Sequence, residues 1–362
     1  MKRIRPITLV LLLALSGSAV AAEKAPLFQN DELVKAVLTA PISQAYEQRD
    51  QDVRVYLPGQ WTYLNAAGES QKLDVSIRTR GNFRLKNCAL PPLQLNFKKS
   101  QVKGTEFKGQ NKLKLVAPCQ NGPKSQQNVL MEYMAYRVFE ILTDVSFGTR
   151  LMRLSYVDSD EKSASWTDLV FVIEDADDVA KRLDLDRVRV VYNEFDDLDL
   201  PTAALVDLFQ LLIGNNDYSL LKGPDGKYCC HNIDMFIDED LLGKRIPIPF
   251  DFDMSGLVNA DYAAPPSHLP IKSVRSRYYR GLCQPPEILD AAIAHVLSKR
   301  EEIMALFNAT EELSRLSLNR TNSYLGKYFE LLEDRKKIDK EIVGRCRGME
   351  HLEELMARDE DL

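Results

Sequence analysis

The chain is poor in the residues from which zinc and thiol centres are assembled. It has four histidines in 362 residues and no two cysteines in Cys-x-x-Cys spacing, which argues against a metal site of the zinc-ribbon kind. It has no Gly-x-Ser-x-Gly, so the strained serine turn of the α/β-hydrolases is absent. Internal repeats and low-complexity stretches are lacking, which excludes solenoids and collagen-like chains. Past the first residues there is no apolar run long enough to cross a bilayer at about 20 residues. Basic residues are in deficit, 47 against 53 acidic, which argues against a general nucleic-acid binder.

What is present begins with a leader. Lys2, Arg3 and Arg5 precede an apolar run, Ile7 to Leu15, broken only by Thr8, and Ala19-Val20-Ala21 gives a small-x-small cleavage pattern. This is the pattern of a secretory signal peptide over residues 1–22. No cysteine follows the cleavage site to take a lipid anchor. The mature chain is expected to be exported, periplasmic or extracellular, without a membrane span. Export gives the six cysteines a second meaning, because an even count in an oxidising compartment permits three disulfides. Cys88 and Cys119 flank two predicted strands and are expected to pair. Cys229 and Cys230 are adjacent and are expected to bond to different partners, with Cys283 and Cys346 available. The full connectivity stays open.

The rest divides at about Glu174. Strands are predicted over Asp52–Tyr56, Gln60–Asn65, Leu73–Arg80, Leu93–Phe97, Lys112–Val116, Thr149–Val157 and Leu169–Ile173, with one helix near Gln126–Leu142. After Glu174 helices dominate: a short one over Asp175–Leu183, an apolar one opened by Pro201 and closed by Gly214, and mostly helix from Pro285 to about Ile342. Two short strands, Tyr228–Phe236 and Ile246–Phe252, lie between. Lys222–Lys227, with Gly223-Pro224-Asp225-Gly226, has the composition of a hairpin turn. The acidic tail, Glu353 to Leu362, is expected to fray.

Three short segments in the second half carry chemistry. Gly214-Asn215-Asn216-Asp217 follows the apolar helix, His231-Asn232 comes next, and Pro249-Phe250-Asp251-Phe252-Asp253 ends an apolar strand. Each alone suits a solvated turn. Together they offer one carboxylate to position a hydroxyl, then an amide and two carboxylates as hard oxygen donors for Mg²⁺ or Mn²⁺.

On these segments the chain resembles the CotH family of atypical exported protein kinases and, more distantly, HipA-like kinases. Arg80-Gly81-Asn82, the strands Leu93–Lys99 and Lys112–Val116, Glu174 and the three acidic segments carry the likeness, over roughly Leu73 to Gly256. The resemblance implies an α+β, bilobal kinase-like fold. A β-rich N-lobe with one long helix would occupy residues 23–174, and a mostly helical C-lobe 175–362, with its catalytic-type segment at 214–256. It implies Asp217 as the catalytic base and Asn232, Asp251 and Asp253 as metal ligands, with Asp251 favoured over Asp253. It also implies Lys114, paired with Glu132, together with Arg80 and Glu174 around the nucleotide, and the Arg80–Pro92 loop over the phosphates. The expected activity is Mg²⁺- or Mn²⁺-dependent phosphoryl transfer from ATP to a protein hydroxyl. Alternatives are an inactive secreted binding module, a nucleotidyl transferase on the same scaffold, and a metal-dependent hydrolase. The loop at Arg80 holds one glycine, unlike the glycine-rich loop of ordinary kinases. The stretch from Met254 to Arg280, with Tyr278-Tyr279-Arg280, departs from the family pattern.

Overall fold

The structure, a computed structural model, describes residues 23–350 except 51, 225, 226, 239–241 and 349. The predicted leader, the acidic tail and the Asp225-Gly226 tip of the predicted hairpin lie outside the described residues. Strands β1 (Val34–Ala40), β2 (Leu57–Leu64), β3 (Ser70–Thr79), β4 (Leu93–Phe97), β5 (Lys112–Val116), β6 (Thr149–Asp158) and β7 (Trp166–Ile173) form one sheet. Short helices α1 (Ile42–Glu47) and α2 (Phe83–Asn87) interrupt it, and α3 (Pro123–Leu142) links β5 to β6. Then come α4 (Ala176–Leu183), β8 (Asp186–Val188), α5 (Leu200–Ile213), β9 (Ile233–Ile237) and β10 (Arg245–Pro249). Helices α6 (Pro286–Ser298), α7 (Arg300–Asn308), α8 (Arg315–Leu332) and α9 (Arg335–Glu341) follow.

This is not the bilobal kinase-like fold that the resemblance implies. The first seven strands close into a barrel in the order β1-β2-β3-β4-β5-β7-β6. The closing strand is β1, antiparallel to β2 and parallel to β6, with Val34 opposite Met152 and Ala40 opposite Asp158. The pairing with β6 joins residues far apart in the chain, and local periodicity carries no information about it. Two strand expectations also shift. No strand covers Asp52–Tyr56, and the second strand begins at Leu57. The strand expected from Tyr228 begins only at Ile233, with Cys229 and Cys230 on the approach to it.

Alternation along the strands fills the barrel. Leu73, Val75 and Ile77 of β3, Leu93, Leu95 and Phe97 of β4, and Leu113 and Leu115 of β5 pack into one core with Trp61 of β2. Inward residues at every second position leave Lys112, Lys114 and Val116 on the outer face of β5. Strand β7 is apolar on both faces. Val170 and Val172 join the barrel core, while Leu169, Phe171 and Ile173 join a second core with α3, α5 and α8. This second core joins the outer face of the barrel to the helices. It lays α3 across β7, so that Glu132 and Tyr136 face the same space as Lys114.

The three disulfides are Cys88–Cys119, Cys229–Cys230 and Cys283–Cys346. The first is the expected pair. The expectation that Cys229 and Cys230 bond to different partners is wrong: they bond to each other, which leaves Cys283 to Cys346. Leu282 and Arg347 pair as a short parallel bridge and bring those last two together. Three disulfides are compatible with an exported protein. Among the described residues no helix is long and apolar enough to cross a membrane.

The Cys283–Cys346 bond spans 63 residues of sequence and encloses helices α6 to α9. The double substitution Cys283→Ser/Cys346→Ser is expected to lower the unfolding free energy by up to about 4 kcal/mol, the loop-closure figure for this length. Urea unfolding of the two proteins side by side measures the difference.

Candidate functional site

The site is built at the ends of regular elements. Helix α5 opens with Asp199, whose carboxylate accepts the Thr202 N–H, and ends at Gly214 with φ +64°. That left-handed stop needs glycine twice over, for its φ and because a Cβ there would lie 2.0 Å from the Tyr324 hydroxyl. The chain then leaves the helix as Asn215-Asn216-Asp217. The Asp217 N–H donates to Asn215 Oδ1 at 2.9 Å. Just beyond, the Tyr218 hydroxyl donates to buried Asp207 on α5 at 2.8 Å, which fixes where the segment goes. Burial raises the Asp207 carboxyl to about 6.

Strands β9 and β10 pair antiparallel with Ile233 opposite Pro249. Asn232 immediately before β9 and Phe250 immediately after β10 therefore meet, and the Phe250 N–H donates to the Asn232 carbonyl at 3.0 Å. Ser219 and His231 exchange two backbone hydrogen bonds, of 3.0 and 3.2 Å. This pairing brings Asp217 to rest beside His231 and Asn232. His231 Nε2 lies 2.8 Å from Asp217 Oδ1, and Asn232 Nδ2 donates to Asp217 Oδ2 at 3.0 Å and to the Asp217 carbonyl at 2.7 Å. The hydrogen bond to Asp217 raises the His231 pKa, against the opposing effect of burial. Asn232 and Asp251 both adopt positive φ, +54° and +62°. Asn and Asp tolerate that conformation best among residues with a side chain, which fits their use at these corners.

One cavity of about 500 Å³ gathers Arg80, Arg84, Lys114, Glu132, Tyr136, Asp217, Asn232, Asp251 and Asp253 on its wall. Seven of the eight residues expected to form the site thus share one cleft. The eighth, Glu174, is elsewhere: it is buried, pairs with Arg182 at 3.0 Å and accepts the Gly148 N–H at 2.9 Å. It fastens β7 to α4 instead of reaching the cleft wall.

The expected Lys114–Glu132 pair is also replaced. Glu132 meets Arg84, 3.4 Å from Nη1, and Arg84 Nε lies 4.0 Å from Asp253 Oδ2. Arg84 also donates to the Ala117 carbonyl. Arg84 takes this place because α2 carries it toward α3, and the Cys88–Cys119 bond holds the end of α2 to the segment after β5. Lys114 is left over the rings of Phe250 and Phe147, 5.2 and 5.8 Å from their centroids. Among the described residues neither Lys114 nor Arg80 has a carboxylate within ion-pair distance. Desolvation lowers the pKa of both.

Sequence reading missed Arg84 and Tyr136. Tyr136 had a signal, since it stands four residues after Glu132 on one helix face, whereas Arg80 lies outside α2 and gives Arg84 none. The Tyr136 hydroxyl accepts the Asp251 N–H at 2.9 Å, so it fixes the loop that carries both acidic residues. The Asp253 carboxyl accepts the Tyr262 hydroxyl at 2.9 Å. Burial and then the Asp251 charge raise Asp253 to about 7. Burial also raises Glu132, with Arg84 opposing.

The donor set fits a hard divalent cation in kind. Asp251, Asp253 and the side-chain carbonyl of Asn232 are oxygen donors, and the mutual repulsion of Asp251 and Asp253 is relieved by positive charge. Among the described residues no three His, Cys, Asp or Glu side chains already converge as a metal site.

Removing Arg84 leaves Glu132 and Asp253 buried without their cation. Arg84→Ala is expected to cost about 3 kcal/mol near pH 8. A carboxyl whose folded pKa lies above its unfolded one binds protons preferentially in the folded state, so the folded state gains as pH falls. Both carboxyls are of this kind, and the cost is therefore smaller near about pH 5 than near pH 8. Adding Glu132→Gln recovers part of the loss at the higher pH. Urea unfolding of the three proteins at both pH values checks the sign and the recovery.

Compared with protein-family models and with curated proteins, the chain matches none.

Proposed function

We propose that this protein binds ATP with a divalent cation and transfers its terminal phosphoryl group to a hydroxyl of a protein acceptor, outside the cytoplasm. The observation that carries the reading is the pair of half-buried cations, Arg80 and Lys114, without a carboxylate in ion-pair distance among the described residues, in a cleft that also holds Asp217, Asn232, Asp251 and Asp253. A charge drawn out of water without a partner is costly. Phosphate oxygens would supply the missing counter-charge, and the oxygen donors across the cleft would hold the accompanying metal.

Arg80 and Lys114 hold phosphate oxygens and offset their charge. Asn232, Asp251 and Asp253 would hold the cation, which would draw charge from the phosphate oxygens and the leaving group. Asp217 orients the acceptor hydroxyl, and its carboxylate has lone pairs beyond those used by His231 and Asn232. As the acceptor oxygen attacks the terminal phosphorus, its proton passes to Asp217. The bond from that phosphorus to the bridging oxygen breaks, and its electron pair leaves with ADP. His231 and the Asn232 amide keep Asp217 in position throughout.

Thermal unfolding with ATP, with and without Mn²⁺, tests binding first, since a ligand of the folded state must raise the melting temperature. The expected result is a metal-dependent rise. Lys114→Ala should weaken ATP affinity by about 10- to 100-fold, the size of a lost charge-assisted contact. Asp217→Asn should keep the rise and lose transfer of label from γ-³²P ATP to casein, by about 10²- to 10⁴-fold. A folded wild-type protein with no rise, or a rise equal with and without metal, would sink the proposal. A rise without any transfer would favour the binding-module reading.

A further inference from the structure

Asp217 lies on the wall of two cavities. The second, of about 290 Å³, shares Phe83 and Met254 with the cleft and adds Tyr262, the Pro265–Pro266 pair and Val274. Among the described residues Asp217 is its only charged lining residue. The Tyr262 hydroxyl is already given to Asp253, so this side chain offers the cavity its ring. Phe83 stacks obliquely on that ring, at 5.6 Å between centroids. Most of the surface on offer is thus carbon, with the Asp217 carboxylate at the edge shared with the cleft.

Asn216 adds a polar side chain to this wall. It lines the second cavity, is 5% exposed, and its Oδ1 has no hydrogen-bond donor among the described residues. Its Nδ2 is directed to the Ser276 carbonyl at 3.5 Å. A buried carbonyl oxygen without a donor costs about 1–3 kcal/mol. Asn216 Oδ1 is itself closed off, so the Asp217 carboxylate is the side-chain acceptor open to this cavity.

We infer that this cavity takes the acceptor of the proposed reaction, and that the acceptor is a tyrosyl side chain; the inference rests on that proposed function for its chemistry. A group that fills the cavity must be apolar, and to react it must present a hydroxyl at Asp217. A tyrosyl ring does both. It packs against Pro265, Pro266, Met254 and Val274 and carries its hydroxyl at the tip. The single methylene of serine leaves the apolar walls uncovered and forgoes their burial, at roughly 25 cal/mol per Å². A lysine or arginine beside the hydroxyl would find no partner there but Asp217, and an acidic neighbour would be repelled by it.

The test is a binding titration that does not depend on turnover. N-acetyl-tyrosinamide, N-acetyl-phenylalaninamide and N-acetyl-serinamide are titrated into the mature protein by calorimetry. The tyrosyl amide is expected to bind at least about tenfold more tightly than either of the others, the phenyl amide lacking the hydroxyl and the seryl amide the ring. Val274→Asp is expected to abolish that preference while leaving the Mn²⁺-dependent ATP rise intact, which also shows that the variant is folded. Pro266→Glu, on a half-buried loop, serves as the second variant. Equal affinities for the three amides, or a preference unchanged in both variants, would overturn the inference. A preference that holds while wild-type protein shows no ATP rise would retain the tyrosyl site and remove the transfer reaction, so the two failures read differently.

Discussion

The site depends on how three buried charges, Arg84, Glu132 and Asp253, are accommodated together. Each comes from a different part of the chain: α2 after β3, the long helix α3, and the loop after β10. Burial of any one of them alone, at this depth and without a partner, would be very costly. Brought together they compensate one another, and the compensation fixes the relative positions of the three elements. It also decides which cations remain available. Because Arg84 takes Glu132, Lys114 is released to face the cleft with Arg80. The basic side of the site follows from that exchange of partners.

The hairpin of β9 and β10 sets the acidic side. Its register places the residue before one strand beside the residue after the other, which brings the amide of Asn232 near the loop that carries Asp251 and Asp253. The same hairpin is joined to the end of α5 through the Ser219–His231 pairing, so Asp217 is held by hydrogen bonds from its neighbours on that side. Proximity among these residues is a property of strand register and needs no contact between the segments in sequence.

Much of this is legible in the chain. The alternation in β3 and β4 and the apolar character of α5 identify those elements, because burial leaves a local periodic trace. The Asn215–Asp217 and Asp251–Asp253 segments also point to one place, since Asn and Asp clusters directly after a helix or strand stand where the chain leaves a regular element. What cannot be read depends on distant pairing. The barrel is closed by β1, whose partner β6 lies across the chain. Glu174 is drawn away by Arg182, and Glu132 by Arg84, choices made among several nearby opposite charges only after packing. The bond between Cys229 and Cys230 runs against the expectation that neighbours in sequence look elsewhere for partners.

The topology has a consequence for how the protein behaves beside other copies of itself. A closed barrel has no outer strand with unpaired backbone groups. The smaller sheet, ordered β10-β9-β8, does have two edges. Strand β8 is only three residues long, and β10 carries Pro247 and Pro249, which have no N–H to donate. Neither edge offers a run of donors along which a foreign strand could extend the sheet. Among the described residues the edges of the smaller sheet are therefore guarded by short length and by proline, leaving surface charge free for other uses.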